Sequence, residues 1–214
     1  LVKSSAASDV YKRQTQYRMH PAISKFPNQH FYSDRLDDGV KSENRLAPAG
    51  LLWPDWDNPV AFVPVDGGEI VSPDGTSREN PTEVSWVIKI LNDILEAGEI
   101  TKKDIGIITP YAGQVRAIRN SMSEKLDDVE VKTVDGYQGR EKEVIIFSCV
   151  RSNTEKNIGF LSEMRRLNVA LTRAKRGLIV IGDPATLRND KNWRAWLEYV
   201  RDSKFEAWHL LGMN

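Results

Sequence analysis

The sequence holds one cysteine, Cys149, in 214 residues. That excludes an internal disulfide and any multi-cysteine zinc or iron–sulfur centre, and it fits a reducing compartment. Neither sign of charge is in excess: 30 lysines and arginines balance 30 aspartates and glutamates. Contact with a polyanion therefore has to be local rather than driven by an overall field. No apolar run approaches the ~20 residues that span a bilayer, and no signal-peptide pattern opens the chain. A cytoplasmic or nuclear location is expected, with no membrane partner. Neither GxxxxGK[ST] nor GxGxxG occurs, so the chain is not expected to cradle a triphosphate by itself. No internal repeat and no metal-ligand set stand out.

What is present is ordinary globular material, 40% hydrophobic and 28% charged, enough for one sizeable domain. Residues 1–14, LVKSSAASDVYKRQ, lack sustained periodicity and are assigned to a linker, scar or non-native end. The domain is expected over 15–204, followed by a tail over 205–214. A short helix fits Pro21 to Tyr32, with Pro27 expected to break or kink it. Residues 33–58 form a long irregular excursion in which Trp53 and Trp56 anchor a loop.

VAFVPV (60–65) predicts a strand. Asn80, Pro81 and Glu83 supply an N-cap, a first-turn proline and a capping-box acid for a helix striped by Val84, Val87, Ile88, Leu91 and Leu95 and ended by Gly98. Strands follow at 105–109, 129–134, 144–150 and 178–182, with helices near 114–126, around 166–173, and over 193–200. Strands alternating with helices, several of them apolar on both faces, predict an α/β fold with a mainly parallel sheet covered by helices on both faces. Function gathers at the carboxyl ends of such strands. Four motifs, TPYAGQ, TVDGYQGRE, VRSN and GDP, are expected there, clustered on one edge.

RLNVALTRAKRGLIVIGD (166–183) sets two arginines around a run of small apolar residues. On a helix, Met164, Leu167, Leu171 and Ala174 share an apolar face, and Arg166 and Arg173 fall nearly in register on another. Arginine suits bidentate contact with phosphate oxygens and neutralises charge in phosphoryl transfer. The blander reading of Arg173 is a helix-end cation worth ~0.3–1 kcal/mol, and that of Arg166 is a salt bridge to a neighbouring carboxylate. His20 reads as a structural hydrogen-bonder and Cys149 as a core residue.

Four ordered stretches carry a resemblance: TQYRMHPAIS (15–24), GIITPYAGQ (106–114), VKTVDGYQGREKEVIIFSCVR (131–151) and RLNVALTRAKRGLIVIGDP (166–184). In order and spacing they resemble the motifs of the second RecA-like domain of superfamily 1 helicases. They are most similar to the up-frameshift RNA helicases of nonsense-mediated decay, with senataxin-like helicases next. The resemblance covers about residues 15–200. It implies a RecA-like domain of an ATP-dependent helicase moving 5′ to 3′ on single-stranded RNA or DNA. It also implies that the phosphate loop and the acids that hold Mg2+ belong to a first RecA-like domain, so that this chain is a fragment, inactive alone.

Carried over residue by residue, the resemblance implies that Arg18 and Arg173 reach the γ-phosphate of ATP bound on that first domain. Glu141 would accept hydrogen bonds from the ribose, with Gln138 and Gly139 shaping its turn, and Tyr17 would lie near the base or simply pack. Thr133, Pro110 and Tyr111 would touch the single strand through a hydroxyl to phosphate and a ring against base or sugar, with Tyr111 equally a core residue. Decay factors are the implied partners, with transcription termination or hybrid resolution, and a purely binding role, as alternatives.

Overall fold

The computed structural model describes residues 14–212. Residues 1–13, the bulk of the segment assigned to a linker or scar, lie outside the described residues, and Gln14 already belongs to a strand. In chain order the elements are β1 (Gln14–Gln16), α1 (Pro21–Phe31), β2 (Leu36–Asp38), β3 (Val60–Pro64), β4 (Ile70–Val71), β5 (Arg78–Glu79), α2 (Pro81–Glu96), β6 (Ile105–Thr109), α3 (Ala112–Ser121), β7 (Glu130–Thr133), β8 (Lys142–Ser148), α4 (Met164–Leu171), β9 (Ala174–Gly182), α5 (Pro184–Leu187) and α6 (Lys191–Asp202). Five strands form one sheet in the order β3-β9-β8-β6-β7, every pair parallel. This is the expected α/β architecture, a parallel sheet with helices on both faces.

The period of two along each strand sorts side chains between two cores. Val60, Phe62, Ile145, Phe147, Leu178 and Val180 point to the face covered by α1, α4 and α6, where they meet Ile23, Phe26, Leu171, Trp193 and Trp196. Their alternates Ala61, Val63, Val144, Ile146, Ile179 and Ile181 point to the opposite face, against Val87, Ile90, Leu91 and Ile94 of α2 and Ile118 of α3. Continuous apolar runs are thus the signature of strands buried on both sides.

Several boundaries differ from the sequence expectation. Helix α1 does not end at Pro27 but runs through it, because Ile23 and Phe26 are anchored in the core. Helix α4 stops at Leu171, so Arg173 and Ala174 are not on it, and Met164, expected on its apolar face, is half exposed. The Thr172 hydroxyl donates to the Asn168 carbonyl at 2.7 Å, and the Lys142 amide donates to the Arg173 carbonyl at 3.1 Å, which draws the chain out of the helix and into the sheet. Strand β9 therefore begins four residues before the expected 178, across a bulge where Lys142 pairs with Ala174 and Val144 with Gly177. Its charged start, Lys175 and Arg176, hid it.

In the excursion, Trp53 is buried and donates to the Pro48 carbonyl at 2.7 Å, packed where Gly177 leaves no side chain in its way. Trp56, expected to anchor the loop too, is exposed instead. Residues 205–207, assigned to a tail, run along the open edge of β3: the Phe62 amide donates to the Phe205 carbonyl at 2.9 Å and the Ala207 amide to the Phe62 carbonyl at 2.8 Å.

Candidate functional site

The four motifs do not share one edge of the sheet. The turn 134–141 leaves the carboxyl end of β7 and enters the amino end of β8, and since all strands are parallel it must travel back across the sheet. It does so over the α1/α4/α6 face, where Val134 and Tyr137 are buried in that core. Thr133 aligns with Thr109 at one edge, and Glu141 precedes Lys142 at the other. The length of β8 separates them, about 20 Å at ~3.3 Å per residue.

At the amino edge, Arg18 sits in the link between β1 and α1. Gln16 Oε1 accepts from the Arg18 and Met19 amides at 2.9 and 2.7 Å, and the His20 amide donates to the Lys175 carbonyl at 2.8 Å, stapling the link to the start of β9. His20 is buried and its Nδ1 accepts from the Ala22 amide at 3.0 Å, capping α1, which is the structural role expected of it.

Arg18 Nε is bound to Glu141 Oε2, and its Nη1 donates to the Thr172 carbonyl at 3.1 Å. Lys175 Nζ lies 3.3 Å from the other Glu141 oxygen. These cations, Arg18 first, hold the Glu141 carboxyl below its ordinary range.

Arg173 donates only to neutral oxygens among the described residues: Nε to the Val169 carbonyl at 3.1 Å and Nη2 to Thr172 Oγ1 at 3.0 Å. Burial, and then the charge of Arg18, lower its affinity for its proton. The edge thus brings Arg18, Arg173 and Glu141 together. Gln138 and Gly139 are exposed on the same turn. Gly139 has φ +78°, a left-handed conformation that favours glycine, and it turns the chain into β8. Tyr17 is 70% exposed, with its ring over Gly39, so it covers backbone without entering a core. Thr172 and Lys175 escaped sequence reading; both lie inside the motif already singled out around Arg173.

At the carboxyl edge, β6 and β8 are neighbours whose onward connections diverge, to β7 on one side and to β9 on the other, which opens a crevice between them. Tyr111 is buried at its base, 5% exposed, and its hydroxyl accepts from Arg151 Nη1 at 3.1 Å and the Phe160 amide at 3.3 Å. Pro110 is half-buried beside it. Thr133 is also half-buried, its Oγ1 accepting from the Gly136 amide at 3.3 Å.

Arg166 does not join Arg173. It forms a bidentate pair with Asp135 at 3.2 and 3.0 Å and a bridge to Glu163 at 3.1 Å, the salt-bridge alternative. VRSN and GDP do meet here, through Ser152 Oγ and Asp183 Oδ2 at 3.0 Å.

Behind this edge lies a buried polar network that the sequence did not disclose. Asn80 caps α2 by accepting from the Glu83 amide at 3.1 Å, but Glu83 does not reach back to close a capping box. The Asn80 amide is taken by Gln114 at 2.8 Å. The Glu83 carboxyl instead accepts from Ser148 Oγ at 2.6 Å and from the Val150 amide at 2.9 and 2.8 Å. Burial pushes its pKa from 4.5 up to about 8, against the opposing pull of these donors. It holds Val150 at φ +73°, strained for a β-branched residue, and so aims the following Arg151. Cys149, fully buried, is a core residue as expected.

The arrangement defines an α/β domain that brings two guanidiniums, one paired with Glu141 and one on neutral oxygens, to the same residue, Thr172, at one edge. A family profile described as an AAA domain, AAA_12, matches residues 2–185, and the chain belongs to that family. Among curated relatives it is 43% identical over 201 residues to the regulator of nonsense transcripts 1 homolog of Drosophila melanogaster, covering 91% of this chain and 17% of that protein. It is 41% identical over 203 residues to the ATP-dependent helicase upf1 of Schizosaccharomyces pombe, covering 91% and 22%. The chain therefore spans less than a quarter of the length of these relatives. Among solved structures, the C-terminal domain of a possible DNA helicase from Lactobacillus plantarum aligns over 83% of this chain and 96% of that one, with a TM-score of 0.44 and 15% identity.

Proposed function

We propose that this chain is the second motor domain of an ATP-dependent helicase of nonsense-mediated mRNA decay, acting in the cytoplasm on single-stranded RNA or DNA. One observation carries the reading: Arg173, desolvated and beside Arg18, has no carboxylate partner among the described residues. Two like charges held together at a partly buried edge favour a polyanion strongly.

ATP supplies the phosphoryl bond whose hydrolysis drives the motor. Arg18 and Arg173 bind its γ-phosphate from across the cleft of a preceding RecA-like domain, Arg18 exchanging Glu141 for phosphate. Glu141, released, accepts from the ribose; Gln138 and Gly139 keep its turn in place, and Tyr17 flanks the base. Mg2+ would be held mainly by the preceding domain, where it would neutralise charge on the triphosphate. Thr133 and Pro110, at the opposite edge, meet the nucleic acid, with Tyr111 supporting them. The turn 134–141 joins the two edges.

The test is RNA-stimulated ATP hydrolysis by the chain joined to a phosphate-loop domain of a similar helicase. Turnover is expected in the fusion, and Arg173→Ala is expected to lower it by ~10³ while sparing nucleotide binding. Unaltered turnover in that variant overturns the reading.

A further inference from the structure

Next to Tyr111 a groove of about 290 Å3 opens at the carboxyl edge, lined by Arg78, Tyr111, Arg151, Asn157, Gly159 and Phe160. It continues into a second of about 210 Å3 that shares Arg78, Tyr111 and Phe160 and runs under the 71–78 hairpin. Phe160 is 58% exposed, yet its position is defined from several sides. Its amide donates to the Tyr111 hydroxyl at 3.3 Å, its ring centroid lies 5.5 Å from that of Tyr111, and the Arg166 guanidinium lies 5.4 Å from the ring centroid. Gly159, at φ +54°, lets the chain pass directly over Arg151 and the Tyr111 hydroxyl, where any side chain would collide.

The charge at the groove is also specific. Two arginines share one carboxylate: Glu69, buried, lies 2.7 Å from Arg151 and 3.0 Å from Arg78. One positive charge is left over, and Arg78 carries it outward, its side chain 42% exposed on the groove.

We propose that Phe160 is a stacking platform for one nucleobase of a single strand, with Arg78 as the contact for an adjoining phosphate. An ordered, exposed ring beside an unbalanced guanidinium matches the two halves of a nucleotide, a π-face and an anion. Arg166 touches both Phe160 and Asp135, two residues beyond Thr133, so the platform adjoins the residues assigned to the strand. The proposal rests on the single-strand reading above and adds to it a defined base position.

The test is low-salt anisotropy titration of the full chain with labelled oligouridine and with an abasic strand of equal length. Phe160→Ala is expected to weaken oligouridine binding about tenfold or more and to leave abasic binding unchanged, while Phe160→Tyr stays within about twofold of the parent. Arg78→Gln is expected to lower the slope of log affinity against log salt by about 0.7.

Equal binding by parent and Phe160→Ala overturns the platform and leaves the single-strand reading intact. Equal weakening on both strands also overturns it, since a distorted surface, not a lost stack, then explains the effect. An unchanged salt slope in Arg78→Gln removes the phosphate contact. No binding of either strand by the parent chain overturns the platform together with the single-strand reading on which it rests.

Discussion

Arg18 and Arg173 converge on one residue, Thr172: Arg18 Nη1 donates to its carbonyl at 3.1 Å and Arg173 Nη2 to its hydroxyl at 3.0 Å. Neither arginine touches a carboxylate through Thr172, so the residue spaces two cations and sets the direction of each.

Replacing Thr172 by valine keeps the carbonyl and the branched shape but removes the hydroxyl. Arg173 loses a neutral acceptor and α4 loses the bond from Thr172 Oγ1 to the Asn168 carbonyl. Stability is expected to fall by about 1 kcal/mol, read by thermal unfolding. Hydrolysis by the fusion protein is expected to fall far less than in Arg173→Ala. A loss as large as that of Arg173→Ala would assign Thr172 a direct part in the chemistry.

Glu83 predicts a pH dependence. Its carboxyl stays protonated in the folded chain up to about 8, against an ordinary value of 4.5. Between those two values the folded state binds a proton that the unfolded state has released, so stability is fully present below the lower value and declines as pH rises. The slope is roughly 1.4 kcal/mol per pH unit, levelling above about 8. Glu83→Gln, isosteric and uncharged, is expected to flatten the change of unfolding midpoint between pH 5 and 8. Identical slopes in parent and variant would exclude Glu83 as the group responsible.

Tyr137 and Gly106 form a second testable pair. The Tyr137 hydroxyl is buried without a hydrogen-bond partner among the described residues, and a side chain at Gly106 would collide with it. Tyr137→Phe is expected to leave stability unchanged or raise it by up to ~1 kcal/mol. Gly106→Ala is expected to destabilise strongly, and less so in the Tyr137→Phe background, although the ring itself still crowds that position. Denaturant unfolding of the four proteins gives the coupling; strict additivity would mean that the two positions do not meet.

The Arg166–Asp135 bridge is geometrically good but Asp135 is 71% exposed. A double-mutant cycle with Asp135→Asn and Arg166→Gln is expected to return less than ~1 kcal/mol of stability. A much larger coupling would show that the bridge is held in a drier setting than its exposure indicates.

Much of this was determined by the sequence alone. Apolar runs of strand length, alternating with capped amphipathic helices, require a parallel sheet with two covered faces, because a strand without a polar face has no side to offer water. Asn80 and Pro81 start α2 and Gly98, at φ +74°, ends it, since capping and left-handed turns are local chemistry. Arg18, Glu141 and Arg173 could be singled out because ordered motifs carry them.

Tertiary structure alone decided the rest. The spacing of Arg166 and Arg173 suits one helix, but sheet pairing of the Arg173 carbonyl with Lys142 outbid the next helical turn, and the two arginines face different partners. The capping-box pattern at Asn80 and Glu83 is local. The partners that drew Glu83 away, Ser148 and the Val150 amide, are more than sixty residues distant in sequence. The division of TVDGYQGRE between two edges follows from strand direction, and Phe160 became a platform only once Tyr111, Gly159 and Arg166 were brought around it. Contacts between residues far apart in the chain leave no periodicity behind, so only the folded chain reveals them.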